Sequence, residues 1–291
     1  MPEVSSIDNP EPALWPEFQK YVPHILTLRA HCLWPEPPMV LSVNFAWVLS
    51  NMATFMWHAG LLADGIDAMR TAEGILEAHH IGNEDPLRSN IHQHIAIIAS
   101  HGGVSMRDEA MSRRHTAIES RNISHGIIAA RGTVTREDEI RLWNVQSDMA
   151  YGLLQCEEFA QSGVIIERCR DQYKIWGDSK AIPFEYLKYC HIICYTYMAE
   201  GKALEAIKAG KEGVRLGEVC GGVLHSYTLH VRCSLANLLY FAGMIDESLM
   251  ENLTVLQGRI TMMGEFNHYT IESHVMCGAL YAKLDNLEKA E

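Results

Sequence analysis

The sequence predicts an all-α protein, an α-solenoid of about six antiparallel helix hairpins. Three observations carry that expectation, and the stretch Leu187–Val214 shows them together. Cys190, Ile193, Cys194 and Tyr197 stack on one helical face. Ala199-Glu200-Gly201-Lys202 then breaks the pattern, as a glycine turn between two helices does. A second apolar stripe follows at Leu204, Ile207 and Val214, with small Ala206, Gly210 and Gly213 between, which let a neighbouring helix come close.

Residues 1–13 are rich in Ser, Asp, Asn and Pro and are expected to be disordered, leaving 14–291 as the repeat domain. Leu14–Trp34 reads as a helix bent at Pro23 and stopped by Trp34-Pro-Glu-Pro-Pro, where prolines supply no amide donors. The hairpins start near 46, 89, 143, 187, 229 and 271, separated by 43, 54, 44, 42 and 42 residues. At position 8 they carry Ala53, Ala96, Ala150, Cys194, Ala236 and Gly278. At position 15 stand Gly60, Gly103, Gly201 and Gly243. Small residues return in the second helices at Gly65, Ala110, Ser162, Ala206, Ser248 and Ala290, and again at Ala72, Ala117 and Cys169. The second turn carries two extra residues. The 54-residue interval is assigned to an extended helix end and a loop around Gly132-Thr133.

A small residue at 8, Tyr at 11, Gly at 15 and Ala at 20 resembles the tetratricopeptide (TPR) hairpin. Period alone favours HEAT repeats, ~40–47 residues against 34 for simple TPR, but HEAT does not require small residues at fixed offsets from a glycine turn. The 42-residue spacing resembles the longer-helix TPR of kinesin light chains. WPEFQKYVPHILTL, EDEIRLWNVQSDMAYGLLQCEEF and YKIWGDSKAIPFEYLKYCHI resemble the C-terminal TPR region of fungal NB-ARC or NACHT signalling proteins. That resemblance implies a sensor or interaction surface beside a nucleotide switch. No GxxxxGK[ST] loop is present to bind ATP. LEKAE ends inside the second helix of repeat six, so a truncated hairpin is expected.

Net charge is −12, without a basic stripe, which argues against nucleic-acid or anionic-membrane partners. Met39–Ala63 lacks Asp, Glu, Lys and Arg and is long enough to span a bilayer. Its Asn44, Ser50, Asn51, Thr54 and His58 favour a buried solenoid helix instead. Eight cysteines without a CxxC pair read as buried thiols of a reducing, cytoplasmic compartment.

Fifteen histidines invite a metal reading, but no ligand set closes at zinc spacing. His92 and His94 lie on different helical faces, and Cys190-His191-Cys194 lacks a fourth ligand. The carboxylates Asp108-Glu109, Glu137-Asp138-Glu139 and Glu157-Glu158 sit at helix starts, where they favour the dipole. No catalytic residue, cofactor or metal site is assigned. In stacked hairpins the first helix turns positions 2, 5, 9, 12 and 13 to the concave side. Those positions give a candidate protein-binding groove of Asn90, Gln93, His101, Asn144, Tyr151, Lys188, His191, Tyr195, His230, Asn237 and Tyr240, joined by Ser100 and Ser147. Amides, aromatics and imidazoles suit an extended peptide; the same residues also suit ordinary half-exposed helix positions. The expected function is a non-catalytic scaffold for a protein or peptide partner. The competing expectations are a helical-array enzyme or accessory protein of fungal secondary metabolism with its site in the groove, and a gene fragment without function.

Overall fold

The computed structural model describes residues 15–33 and 41–290. The disorder expected over 1–13 and the proline stop after Trp34 lie outside these residues. Among the described residues there are thirteen α-helices and one 3-10 turn, with no strand. The protein is an all-α, TPR-like array of helical hairpins. α1 (Trp15–Leu33) precedes the pairs α2 (Val43–His58) and α3 (Leu62–Ala78), and α4 (Pro86–Ala99) and α5 (Arg107–Ala130). Then come α6 (Arg136–Gln155) and α7 (Phe159–Trp176), α8 (Pro183–Ala199) and α9 (Ala203–Gly221), and α10 (Ser226–Phe241) and α11 (Ile245–Met263). α12 (His268–Lys283) and the short α13 (Leu287–Ala290) complete the chain. No described helix is long and apolar enough to cross a membrane.

Each link between successive helices from α2 to α13 contains one residue of positive φ. Within hairpins these are Gly60, Gly103, Glu157, Gly201, Gly243 and Asp285, and between hairpins His80, Gly132, Gly177, Gly222 and Gly264. The first group is position 15 of every repeat, including the two repeats with no glycine there. The geometry is a helix-ending motif closed by two hydrogen bonds. Gly201 N–H donates to Met198 O at 3.0 Å and Lys202 N–H to Tyr197 O at 2.9 Å. Gly60 with Leu61, and Gly243 with Met244, repeat that pair of bonds. Three residues link the helices of each hairpin except α4 and α5, where seven do and Val104–Met106 forms the 3-10 turn.

The small residues lie where helices touch. Ala53, Ala96, Ala150, Cys194 and Ala236 are all buried, as are Gly65, Ala110, Ser162, Ala206 and Ser248. Ser248 Oγ donates to Ala236 O at 2.8 Å, tying position 20 of one helix to position 8 of its partner. A methyl group at Gly213 would stand 3.1 Å from Val231 Cγ1 and 3.3 Å from Cys190 Cβ. The long second interval, of 54 residues, is taken up by α5, which has 24 residues and ends just before Gly132.

The helices group into two compact units, residues 1–156 and 157–291. In the first, Phe18 of α1 stacks on Phe55 at 5.9 Å, and Leu49, Met52, Met56, Met69, Leu76, Ile91 and Ile95 fill the core. In the second, α8 packs on α9 and α9 on α10 around Leu187, Val214, Leu216, Val231 and Leu235. Arg259 joins α11 to α12 by donating to Tyr269 O at 2.6 Å and Ser273 Oγ at 2.8 Å.

Left-handed backbone costs a non-glycine residue roughly 1–2 kcal/mol, of which glycine's looser unfolded chain gives part back. Glu157→Gly is therefore expected to raise stability by about 0.5–1 kcal/mol, and Gly243→Ala to lower it by about 1 kcal/mol. Urea unfolding midpoints check both. A loss of stability in Glu157→Gly would mean that its side chain does more than occupy the turn.

Candidate functional site

The first helices of the hairpins carry the residues that the sequence selects, and α4 is the most enclosed of them. Twelve of its fourteen residues are buried, including Ser89, Asn90, His92, Gln93 and His94. Each polar side chain meets a different neighbour. Ser89 Oγ donates to Ala117 O on α5 at 2.9 Å. Asn90 Oδ1 accepts from Arg121 of α5, and Gln93 Nε2 donates to Asp148 of α6. His94 Nε2 and Thr54 Oγ1 of α2 share a hydrogen bond of 2.8 Å, with Ser50 Oγ 3.4 Å from His94 Nδ1. Arg113 donates to His92 Nδ1 at 3.0 Å while paired with Glu73. Asn144 is buried on α6, Tyr151 is half-buried, and half-buried His101 accepts from Trp57 Nε1 at 2.9 Å.

In the second unit α8 and α10 bring several selected residues together. The His191 ring lies edge-on to His230 at 5.0 Å, to Tyr227 at 5.8 Å and to Tyr195 at 6.3 Å. Its Nε2 is 3.1 Å from Ser234 Oγ. His191 and Lys188 are buried, while Tyr195, His230, Asn237 and Tyr240 are half-buried and form the outer layer. The Asn237 amide oxygen has no hydrogen-bond partner. Tyr240 meets Phe241 at 5.7 Å, and Phe241 is 69% exposed. Beneath this layer, burial pushes the Cys190 thiol up to about 12 and raises Cys194 as well, whose thiol donates to His191 O at 3.0 Å. Both stay protonated at neutral pH, so neither serves as a nucleophile there.

Burial also decides the state of the histidines. It pushes His94 down to about 3 and His191 down to about 4. His92 falls to about 4 for the same reason, against the pull of Glu73. These rings are neutral and committed to structural hydrogen bonds. The sequence reading did not find Asp148, Arg114 and Arg121 as partners. A signal was available: Ala110, Arg114, Ala117 and Arg121 follow helical spacing, so both arginines lie on the inward face.

No protein-family model matches the chain, and no curated protein does. Among the solved structures similar to it are three of repeat or helical proteins. One is of TPR-like repeats of a putative kinesin light chain from Podosopora anserina, at 17% identity and TM-score 0.48, covering 72% of this chain and 92% of that one. Another is the apo quorum sensor NprR from B. thuringiensis, at 11% and 0.49, covering 96% and 79%. The third is Acl4, an assembly chaperone of RpL4, at 15% and 0.42, covering 95% of each chain. At these values the fold assignment rests on the turns and packing described above.

The buried imidazoles set an acid limit on the fold. Unfolded histidine takes up a proton below about 6.5, whereas native His94 and His191 stay neutral down to about 3 and about 4. Stability is thus fully present above about 6.5 and is lost as pH falls from there towards the native values. Replacing His94 with Gln is expected to flatten the pH dependence of the urea midpoint between pH 7 and 4.5. Equal slopes for the two proteins would refute this origin.

Proposed function

We propose that this TPR-like array is a non-catalytic interaction module that holds an extended peptide or protein segment on the first-helix faces, with Tyr195, His230, Asn237 and Tyr240 as its contact layer in the second unit. The observation that carries the reading is the half-buried aromatic and amide layer over a fixed aromatic floor. His191 and Tyr227 hold the floor rigid, so the outer rings lose little freedom on binding. Tyr195 and Tyr240 offer large amphipathic surfaces of the kind that anchor interfaces. The half-buried Asn237 side chain adds a polar group of the kind that an extended segment's backbone can hydrogen-bond.

Asn90, Gln93, Asn144 and Lys188 are the buried supports of the same faces, and His101 and Tyr151 are the half-buried positions of the first unit. The neutral, hydrogen-bonded histidines support a non-catalytic reading, because none is poised near neutral pH with a substrate-facing proton. A soluble protein of a reducing compartment fits the buried thiols, and a protein or peptide partner fits the contact layer.

The test is a selection from a random-peptide display library, followed by affinity measurement on enriched peptides. Tyr195→Ala combined with Asn237→Ala should fold normally and weaken those peptides by ~30-fold or more, about 2 kcal/mol. Ala236→Leu is the control, because Ala236 is fully buried and a larger side chain should cost ~1–3 kcal/mol of stability. Peptides that bind the double variant as tightly as the parent would place the contact surface elsewhere.

A further inference from the structure

A different place in the first unit is built for a small ligand. Where the ends of α4 and α6 meet the start of α5, a cavity of about 260 Å³ is lined by Ser100, Val104, Arg107, Arg114, Gln155 and Cys156, among others. Arg114 is 3% exposed, and its Nε has no acceptor. One of its terminal nitrogens donates to Ser100 Oγ at 2.6 Å and, at 3.4 Å, to Gln155 Oε1. Both are neutral oxygens, and no carboxylate lies within ion-pair distance of this guanidinium among the described residues. Burial lowers its pKa, with Asp148 pulling the other way, yet an arginine remains charged in proteins. Asp148, beyond ion-pair distance, offsets only part of the cost of burying this charge, and an anion in the cavity would offset more.

Two further observations point the same way. Arg107, half-buried in the cavity wall, has no side-chain ion pair or hydrogen bond among the described residues. No carboxylate belongs to the lining, although the chain carries a net charge of −12. The arginine is also deliberately accommodated. A methyl group on Gly152 would stand 2.7 Å from Arg114 Cδ and Nε, so the guanidinium lies flat on bare backbone.

We infer that this cavity is a binding site for a small carboxylate on a short hydrocarbon body, held between Arg107 and Arg114. The cavity lies at the negative ends of α4 and α6 and the positive start of α5. Counting roughly half a charge at each helix end and the Asp148 carboxylate that acts on Arg114, about half a positive charge is left over, which suits a mono-anion better than a phosphate dianion. Val104, Ala110 and Met111 give the hydrocarbon an apolar wall. At the small end of ligand-pocket sizes, ~300–1,000 Å³, the space suits one acid group and a few carbons. The carboxylate comes from a free organic acid or from the C-terminus of a peptide. The inference is independent of the peptide surface proposed above.

Cys156 lines the cavity and reports on it. The experiment follows labelling of Cys156 by N-ethylmaleimide, site by site by mass spectrometry, at constant ionic strength. The expected result is saturable protection by butyrate or by a valine-ended tripeptide acid, and none by butyramide or the tripeptide amide. Protection by butyrate alone identifies a free acid as the source, and tighter protection by the tripeptide identifies a chain end. Arg107→Gln, at a half-exposed position that leaves the fold intact by circular dichroism, should weaken protection at least about tenfold. Equal protection by acid and amide, equal protection by inorganic phosphate, or no effect of Arg107→Gln overturns the inference. It would be overturned equally by the absence of protection at millimolar acid.

Discussion

A helix that ends in a left-handed residue hands the chain on in a fixed direction, and the hairpins here depend on that turn. With three residues in the link and positive φ at position 15, the second helix must return alongside the first at one register. That register sets Ser248 against Ala236 and Gly213 against Val231 and Cys190. Small residues at these contacts let backbones approach, so the larger apolar side chains interlock around them rather than across a gap. Everything else about the surface follows, because fixing which residues touch also fixes which face outward.

Close packing then forces a decision on each polar side chain left inside. On α4 the answer is a separate partner for each: α5 for Ser89 and Asn90, α2 for His94, α6 for Gln93. Such bonds add little net stability, but leaving one unmade costs more than making it gains. They therefore act against slipped packings more than they hold the true one together. The neutral histidines belong to the same logic: an imidazole can serve as both donor and acceptor only while uncharged. The acid sensitivity of the fold is thus a consequence of its packing specificity.

The hairpin boundaries were legible because the turn leaves a local trace. Gly60, Gly201 and Gly243 announce it directly, and Glu157 and Asp285 adopt the same backbone through offset alone. Position 8 and position 20 were legible for the same reason, since burial of Ala53 or Ser248 is decided within one hairpin. The polar partners were not. Gln93 and Asp148 are 55 residues apart, and Arg114 and Gln155 are 41 apart. Spacing within one helix shows that Arg114 faces inward, but the oxygen it meets is chosen by another helix. The depth of Asn90, Gln93 and His191 escaped for a related reason: helical offset gives a side chain its direction, and the neighbouring hairpin decides how deep it lies.

The hairpin that departs from the three-residue link also borders the cavity. Seven residues join α4 to α5, and the 3-10 turn Val104–Met106 sets the start of α5 back from the end of α4. In the regular hairpins the tight link brings the two helix ends together. At the longer link the chain lines a cavity with two arginines beside the apolar Val104, Ala110 and Met111. A repeat gains nothing in stability from loosening its own turn and burying a charge that a distant carboxylate only partly offsets. Departures from local consistency of this kind concentrate where a protein binds something. On the inference above, the irregular turn and the two arginines without an ion pair are one feature: a turn relaxed to make room, and charges placed beside it.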